Sequence, residues 1–88
     1  MLRREHEISG NLNDVRNLIA YYGDKCDYAS LIKDVIEDIK GLDLLMDLHQ
    51  GEGITLRLQS LKDKAEQYLN ILNSYKARKE NQEAENER

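Results

Sequence analysis

Two runs of apolar residues, each with spacings that alternate between four and three, lie on either side of the short stretch Gly51-Glu52-Gly53. That spacing is the heptad pattern through which one helix packs along another. Two equally long runs joined by a short link favour an antiparallel helical hairpin. The first run is Tyr28, Ile32, Val35, Ile39, Leu42, Met46 and His49, and the second is Ile54, Leu58, Leu61, Ala65, Tyr68, Leu72 and Tyr75.

Antiparallel folding at the glycines also predicts which residues of the two runs face each other. Tyr28 at the start of the first run should lie near Tyr75 at the end of the second. Opposite charges beside the runs fit the same register, although exposed ion pairs contribute only a few tenths of a kcal/mol each. The other predicted neighbours are Met46 with Leu58, Leu42 with Leu61, Val35 with Tyr68, Asp43 with Lys62 and Asp38 with Lys64.

A shorter helix is predicted before the hairpin, from about Asn11 to Tyr22. Gly23 is placed to end it, and Asp27 is a good N-cap for the helix that follows. Residues 1–10 show no periodic apolar pattern and are predicted to be a flexible arm that becomes ordered only by docking. The apolar face of the short helix consists of Val15, Leu18, Ile19 and Tyr22.

Residues 76–88 are almost entirely polar, with Ala77 and Ala84 as the only apolar side chains. They are predicted to be either a solvated extension of the last helix or a disordered tail. Residues 11–75 then form a single helical domain. The predicted fold class is all-α, with a short N-terminal helix packed on a long antiparallel, coiled-coil-like hairpin, three helices in total.

A β-hairpin, or wing, is the competing interpretation of residues 43–59. Gly41 would break the preceding helix there, and Ser60 followed by Asp63 could cap a new one. The order of elements would then resemble that of a winged-helix domain. However, Ile54 and Thr55 are the only β-branched residues near the turn, and the heptad pattern continues without a break into the last helix, so the helical hairpin is favoured.

The charge distribution disfavours nucleic acid as a partner. The net charge is −4, and the whole excess lies in residues 24–50, which carry seven acids and three bases. The segment 28–40, which would read DNA in a winged helix, is itself acidic and would be repelled by phosphate. The alternative function, a nucleic-acid-binding regulator, would have to use the basic side of the last helix, formed by Arg57, Lys62, Lys64, Lys76, Arg78 and Lys79.

No pattern of residues predicts catalysis, a cofactor or a metal ion. His49 is interpreted as the C-terminal residue of a helix, where a histidine interacts favourably with the helix dipole. His6 has no second metal ligand at helical spacing, and Cys26 has no nearby cysteine or histidine. Acidic residues from Asp34 to Asp47 are interpreted as a solvated helix face. The chain is therefore expected to be non-enzymatic.

More apolar residues are present than the predicted helix contacts can cover. Leu44, Leu48 and Leu56 point away from the hairpin contact, near the turn, and an 88-residue chain buries a modest core. These features predict a homodimer or a complex with another protein, in which the chain acts as an adaptor, inhibitor or assembly factor. The predicted interface residues are Leu44, Leu48, Leu56, Ile36, Leu45, Leu69 and Ile71.

The cellular location is expected to be the cytoplasm. A single cysteine suits a reducing compartment. No apolar run approaches the roughly 18 residues of a membrane span, and the N-terminus has no apolar stretch typical of a signal peptide.

Overall fold

A computed structural model describes the backbone of residues 3–86 and the side chains of residues 3–23 and 25–81. Its elements are helix α1 (Arg3–Tyr22), a short 3-10 turn (Gly23–Lys25), helix α2 (Tyr28–Leu48) and helix α3 (Glu52–Asn86). α2 packs mainly on α3, and α1 packs on both. No strand occurs in residues 3–86. The all-α hairpin is therefore confirmed, and the β-hairpin interpretation is wrong.

The hydrophobic core follows the heptad pattern of the two long helices. Within each run, every second residue is buried, except His49 at the end of the first run. The residues between them are half-buried, except Ile54, which is 37% exposed. α1 adds three side chains with the same spacing of four and three, so the core is shared by all three helices. The buried apolar residues are Ile8, Leu12 and Val15 in α1, Tyr28, Val35 and Leu42 in α2, Leu58, Ala65 and Leu72 in α3, and Cys26 before α2.

Two observed contacts establish the register of the hairpin. The rings of Tyr28 and Tyr75 stack with their centroids 5.7 Å apart. The Lys62 ammonium lies 2.7 Å from the Asp43 carboxylate. Both contacts were predicted.

The predicted ion pair between Asp38 and Lys64 is wrong. Asp38 is buried against α1, whereas Lys64 lines a shallow cavity that also contains Glu5 of α1. The prediction failed because it treated the hairpin as a pair of helices, and α1 covers that side of it.

The link between α2 and α3 consists of only His49, Gln50 and Gly51. His49 is the C-cap of α2, and its backbone N–H donates to the carbonyl of Leu45 at 2.9 Å. On the other side of the link, the N–H of Thr55 donates to the carbonyl of Gly51 at 2.9 Å. Among the described glycines only Gly23 has a positive φ, so the chain reverses here without a left-handed glycine.

Helix α1 begins at Arg3, well before the predicted start near Asn11. Residues 3–10, predicted as a flexible arm, are helical, while residues 1 and 2 lie outside the described part of the chain. Ile8 provides the physical reason, because its side chain is fully buried against the hairpin. Burial of one large apolar side chain contributes about 1.5–3 kcal/mol, enough to favour helix in a segment of weak local preference.

The connection from α1 to α2 was predicted correctly. α1 ends at Tyr22, and Gly23 follows with a φ of 45°, the left-handed conformation common after a helix C-terminus. Asp27 caps α2, because its carboxylate accepts hydrogen bonds from the backbone N–H and the hydroxyl of Ser30. The hydroxyl bond, followed by the backbone bond, lowers the pKa of Asp27 below its ordinary value.

Helix α3 is much longer than α2 and extends past the start of α2. Tyr75 is the last residue of α3 that stacks on an α2 side chain, and the helix continues to Asn86. The backbone of residues 76–86 is therefore helical. Residues 87 and 88 lie outside the described part.

Gly41 lies inside α2, where glycine is a poor helix former, and the side chain of Arg4 lies over it. A Cβ at this position would come within 3.3 Å of Arg4 Nε, which belongs to a flexible and half-exposed side chain. We expect Gly41→Ala to raise the free energy of unfolding by up to about 1 kcal/mol, because Arg4 can shift. Urea denaturation measures the change. Gly10→Ala in α1 is the control, since a Cβ at Gly10 contacts nothing, and a loss of stability in Gly41→Ala alone would show that Arg4 cannot move.

Candidate protein-interaction surfaces

Three leucines near the turn of the hairpin remain largely exposed. The exposed fractions are 64% for Leu44, 75% for Leu48 and 68% for Leu56. Leu44 and Leu48 are four residues apart and therefore lie on the same face of α2. α1 does not cover them, because its N-terminal turn reaches α2 at Gly41, where Arg4 lies. We call these three leucines the turn-end leucines.

The other four predicted interface residues differ from the turn-end leucines. Leu45 and Leu69 are half-buried and pack against the core. Ile36 and Ile71 are 37% and 42% exposed, farther from the turn. The seven predicted residues therefore differ in exposure, and the three most exposed among them are the turn-end leucines.

A groove between α1 and α2 was not predicted from the sequence. It consists of two adjacent cavities of about 390 and 340 Å³, both lined by Leu18 of α1 and Leu31 of α2. We call it the α1–α2 groove. The larger cavity is lined by several carboxylates, and the smaller one, which includes Tyr22, is mostly apolar. The sequence signal was the position of Asp38 seven residues after Leu31, which places both on one face of α2.

Asp38 is the buried acidic residue of this groove, with only 4% of its surface exposed. Its interpretation as part of a solvated acidic face is therefore wrong. Removal of water around the carboxylate raises its pKa above the ordinary value of 3.8, and this effect is opposed by a hydrogen bond from Asn11 and by the positive charge of Arg4. The folded chain accommodates the negative charge at a cost in stability.

The raised pKa predicts how the stability of the protein depends on pH. The folded state holds the Asp38 proton more tightly than the unfolded chain does. The contribution of Asp38 to the free energy of unfolding therefore becomes less favourable as the pH rises from 3.8 through the folded pKa. We expect Asp38→Asn to raise the free energy of unfolding at neutral pH and to lose that advantage as the pH falls toward 3.8. Urea denaturation over a series of pH values tests this.

Asp34→Asn is the control for that series, because Asp34 lies one turn earlier in α2 and is exposed. It should show a much smaller change. A stability loss in Asp38→Asn at neutral pH would mean that the attraction to Arg4 outweighs the cost of burial.

Several basic side chains of α3 are engaged within the chain. Arg57 contacts Glu5 of α1 at 3.0 Å, and Lys76 contacts Glu80 at 3.9 Å. Lys62 is bound to Asp43, and the hydrogen bond between them raises the pKa of Lys62. The guanidinium of Arg78 lies 5.4 Å from the ring centroid of Tyr75. A phosphate backbone would have to compete with these contacts.

The remaining candidates for a chemical site are Cys26 and the histidine and acidic side chains. Cys26 is buried, and its thiol donates to the carbonyl of Leu18 at 3.1 Å. Within the described residues, no group of histidine, cysteine or acidic side chains could hold a metal ion. Nor is any helix among them long and apolar enough to cross a membrane. Comparison of the chain with protein-family models, curated protein sequences and solved structures gives no significant match.

Proposed function

We propose that this chain is a non-enzymatic protein that acts by binding other protein chains, and that it forms a homodimer through its turn-end leucines. The exposure of Leu44, Leu48 and Leu56 after all three helices have packed is the observation that carries this proposal. Soluble monomers rarely expose large contiguous apolar patches, and Leu44 and Leu48 lie on one face of α2. Adaptors, inhibitors and assembly factors all act by binding other protein chains.

A second copy is the favoured first partner because the chain is small. A domain of this size buries a limited share of its surface, and association adds buried apolar area. Leu44 and Leu48 are one helical turn apart, the spacing with which one helix packs on another. A twofold dimer would bury both leucines of both copies in one contact.

Nucleic acid as the partner has less support. Arg57, Lys62 and Lys76 already contact acidic residues of the same chain. The chain as a whole has a net charge of −4, and phosphate binding depends on unneutralised lysine and arginine. A cytoplasmic location is part of the proposal, since the single thiol, Cys26, is unpaired.

Sedimentation equilibrium of two matched variants tests the dimer. Leu48→Lys places a charge among the turn-end leucines, and Tyr21→Lys places the same charge at an 82% exposed side chain near the end of α1. We expect Leu48→Lys to raise the dimer dissociation constant at least about tenfold, the effect of losing about 1.4 kcal/mol, and Tyr21→Lys to leave it nearly unchanged.

Two results would contradict the dimer proposal. The wild-type chain could sediment as a monomer at concentrations of about 100 μM, well above those of a specific dimer, or both variants could weaken association equally. Affinity capture followed by mass spectrometry, with the same two variants as bait, tests binding to other proteins. A specific partner should be lost with Leu48→Lys and retained with Tyr21→Lys.

A further inference from the structure

The α1–α2 groove lies on the two helices apart from the turn-end leucines. Along α2 its lining runs from Asp27 to Asp38, a rise of about 17 Å or three helical turns. Leu18 and Leu31 stand in the middle, where the two cavities meet. The groove therefore has the length over which a bound helix makes three successive side-chain contacts.

The two ends of the groove differ in chemical character. The apolar end is lined by Leu18, Leu31 and Tyr22, and the tyrosine is 58% exposed. Its rim also holds one base and one acid, Lys25 and Asp27, together with Cys26 and Ser30. The acidic end has four carboxyl groups and a single basic side chain, that of Arg4. The exposed acids of this end stand on both walls, with Asp14 on α1 and with Asp34 and Glu37 on α2.

We propose that the α1–α2 groove binds a basic amphipathic helix of a partner protein. Apolar side chains of that helix would contact Leu18, Leu31 and Tyr22, and its lysine or arginine residues would pair with Asp34 and Glu37. The bound helix would lie against α1 and α2 as the fourth helix of a bundle. Charge complementarity selects this occupant, because the same carboxylates repel phosphate and anionic lipid.

The probe is a synthetic, fluorescently labelled peptide of about 18 residues, or five helical turns, with leucines on one face and lysines on the flanks. Fluorescence anisotropy with the full chain measures its binding at about 0.1 M salt, where long-range attraction is screened. Two further peptides isolate the two contributions. One replaces every lysine by glutamate, and the other keeps the composition but scrambles the order so that no apolar face remains.

Two pairs of protein variants locate the binding site. Asp34→Lys with Glu37→Lys reverses two exposed charges of the groove, and Asp63→Lys with Glu66→Lys makes the same change at the same spacing on α3, outside it. Tyr22→Ala removes an aromatic side chain from the apolar end. Tyr21→Ala, at the neighbouring and more exposed tyrosine, is its control.

We expect the groove charge variant to weaken binding of the lysine peptide about tenfold, and Tyr22→Ala to weaken it about threefold, with both controls within about twofold of the wild-type chain. No binding of the lysine peptide would overturn the assignment, as would equal weakening by the α3 charge variant or equal binding of the scrambled peptide. Loss of the dimer in the groove charge variant would also overturn it, because the occupant would then be a second copy. The dimer proposal is tested separately by Leu48→Lys.

Discussion

Leu42→Ala should lower the free energy of unfolding by about 2–5 kcal/mol, which is the cost of removing a fully buried leucine side chain and leaving part of its volume empty. Leu42 has no exposed surface and lies on the hairpin side of α2. A chain of this length has a total stability of roughly 4–13 kcal/mol. The substitution therefore removes a large share of it and should shift the midpoint of urea denaturation markedly.

Leu44→Ala provides a matched control for Leu42→Ala. Leu44 lies two residues further along the same helix and is 64% exposed. At protein concentrations where the chain is monomeric, its replacement should change stability by less than about 0.5 kcal/mol. Because Leu44 belongs to the proposed dimer surface, the cost of Leu44→Ala should grow with protein concentration, and that of Leu42→Ala should not. Equal costs at low concentration would contradict the burial of Leu42.

Ile8→Ala should have the second largest effect, again about 2–5 kcal/mol. Ile8 is fully buried and belongs to the part of α1 that packs beside Gly41. Its loss should loosen the N-terminal half of α1 and speed amide hydrogen exchange there more than in α2 or α3. Urea denaturation gives the total cost, and exchange monitored by mass spectrometry shows where it acts.

His6→Ala is the control for Ile8→Ala, because His6 is exposed in the same turn of α1. It should leave both stability and the exchange pattern nearly unchanged. If Ile8→Ala were equally silent, residues 3–10 would behave as the flexible arm that the sequence predicted.

The hairpin was predictable because its information is local and repeated. Each run of apolar residues is long enough to distinguish the helical spacing of four and three from the alternation of every second residue expected of a strand. The register followed from matching the two runs across the short link. Two contacts confirm it, the stacking of Tyr28 on Tyr75 and the ion pair of Asp43 with Lys62. Caps depend on only one or two residues, which is why Asp27 and Gly23 were assigned correctly.

The position of α1 was not predictable in the same way. Ile8, Leu12 and Val15 do have the spacing of a helix face, but Ile8 is the only large apolar residue between Arg3 and Gly10. Helix in such a segment depends on what it packs against. The burial of Asp38 and the α1–α2 groove follow from that same packing, so a sequence interpretation that treated the hairpin alone could not find them.

The length of α3 sets the distance between the two ends of the molecule. α3 rises about 51 Å from Glu52 to Asn86, while the molecule measures only 21 and 15 Å in its two shorter directions. A partner bound at Leu56 and another at the C-terminal end of α3 would therefore lie about 45 Å apart along the helix. In an adaptor, this single uninterrupted helix would hold its two partners at a set separation.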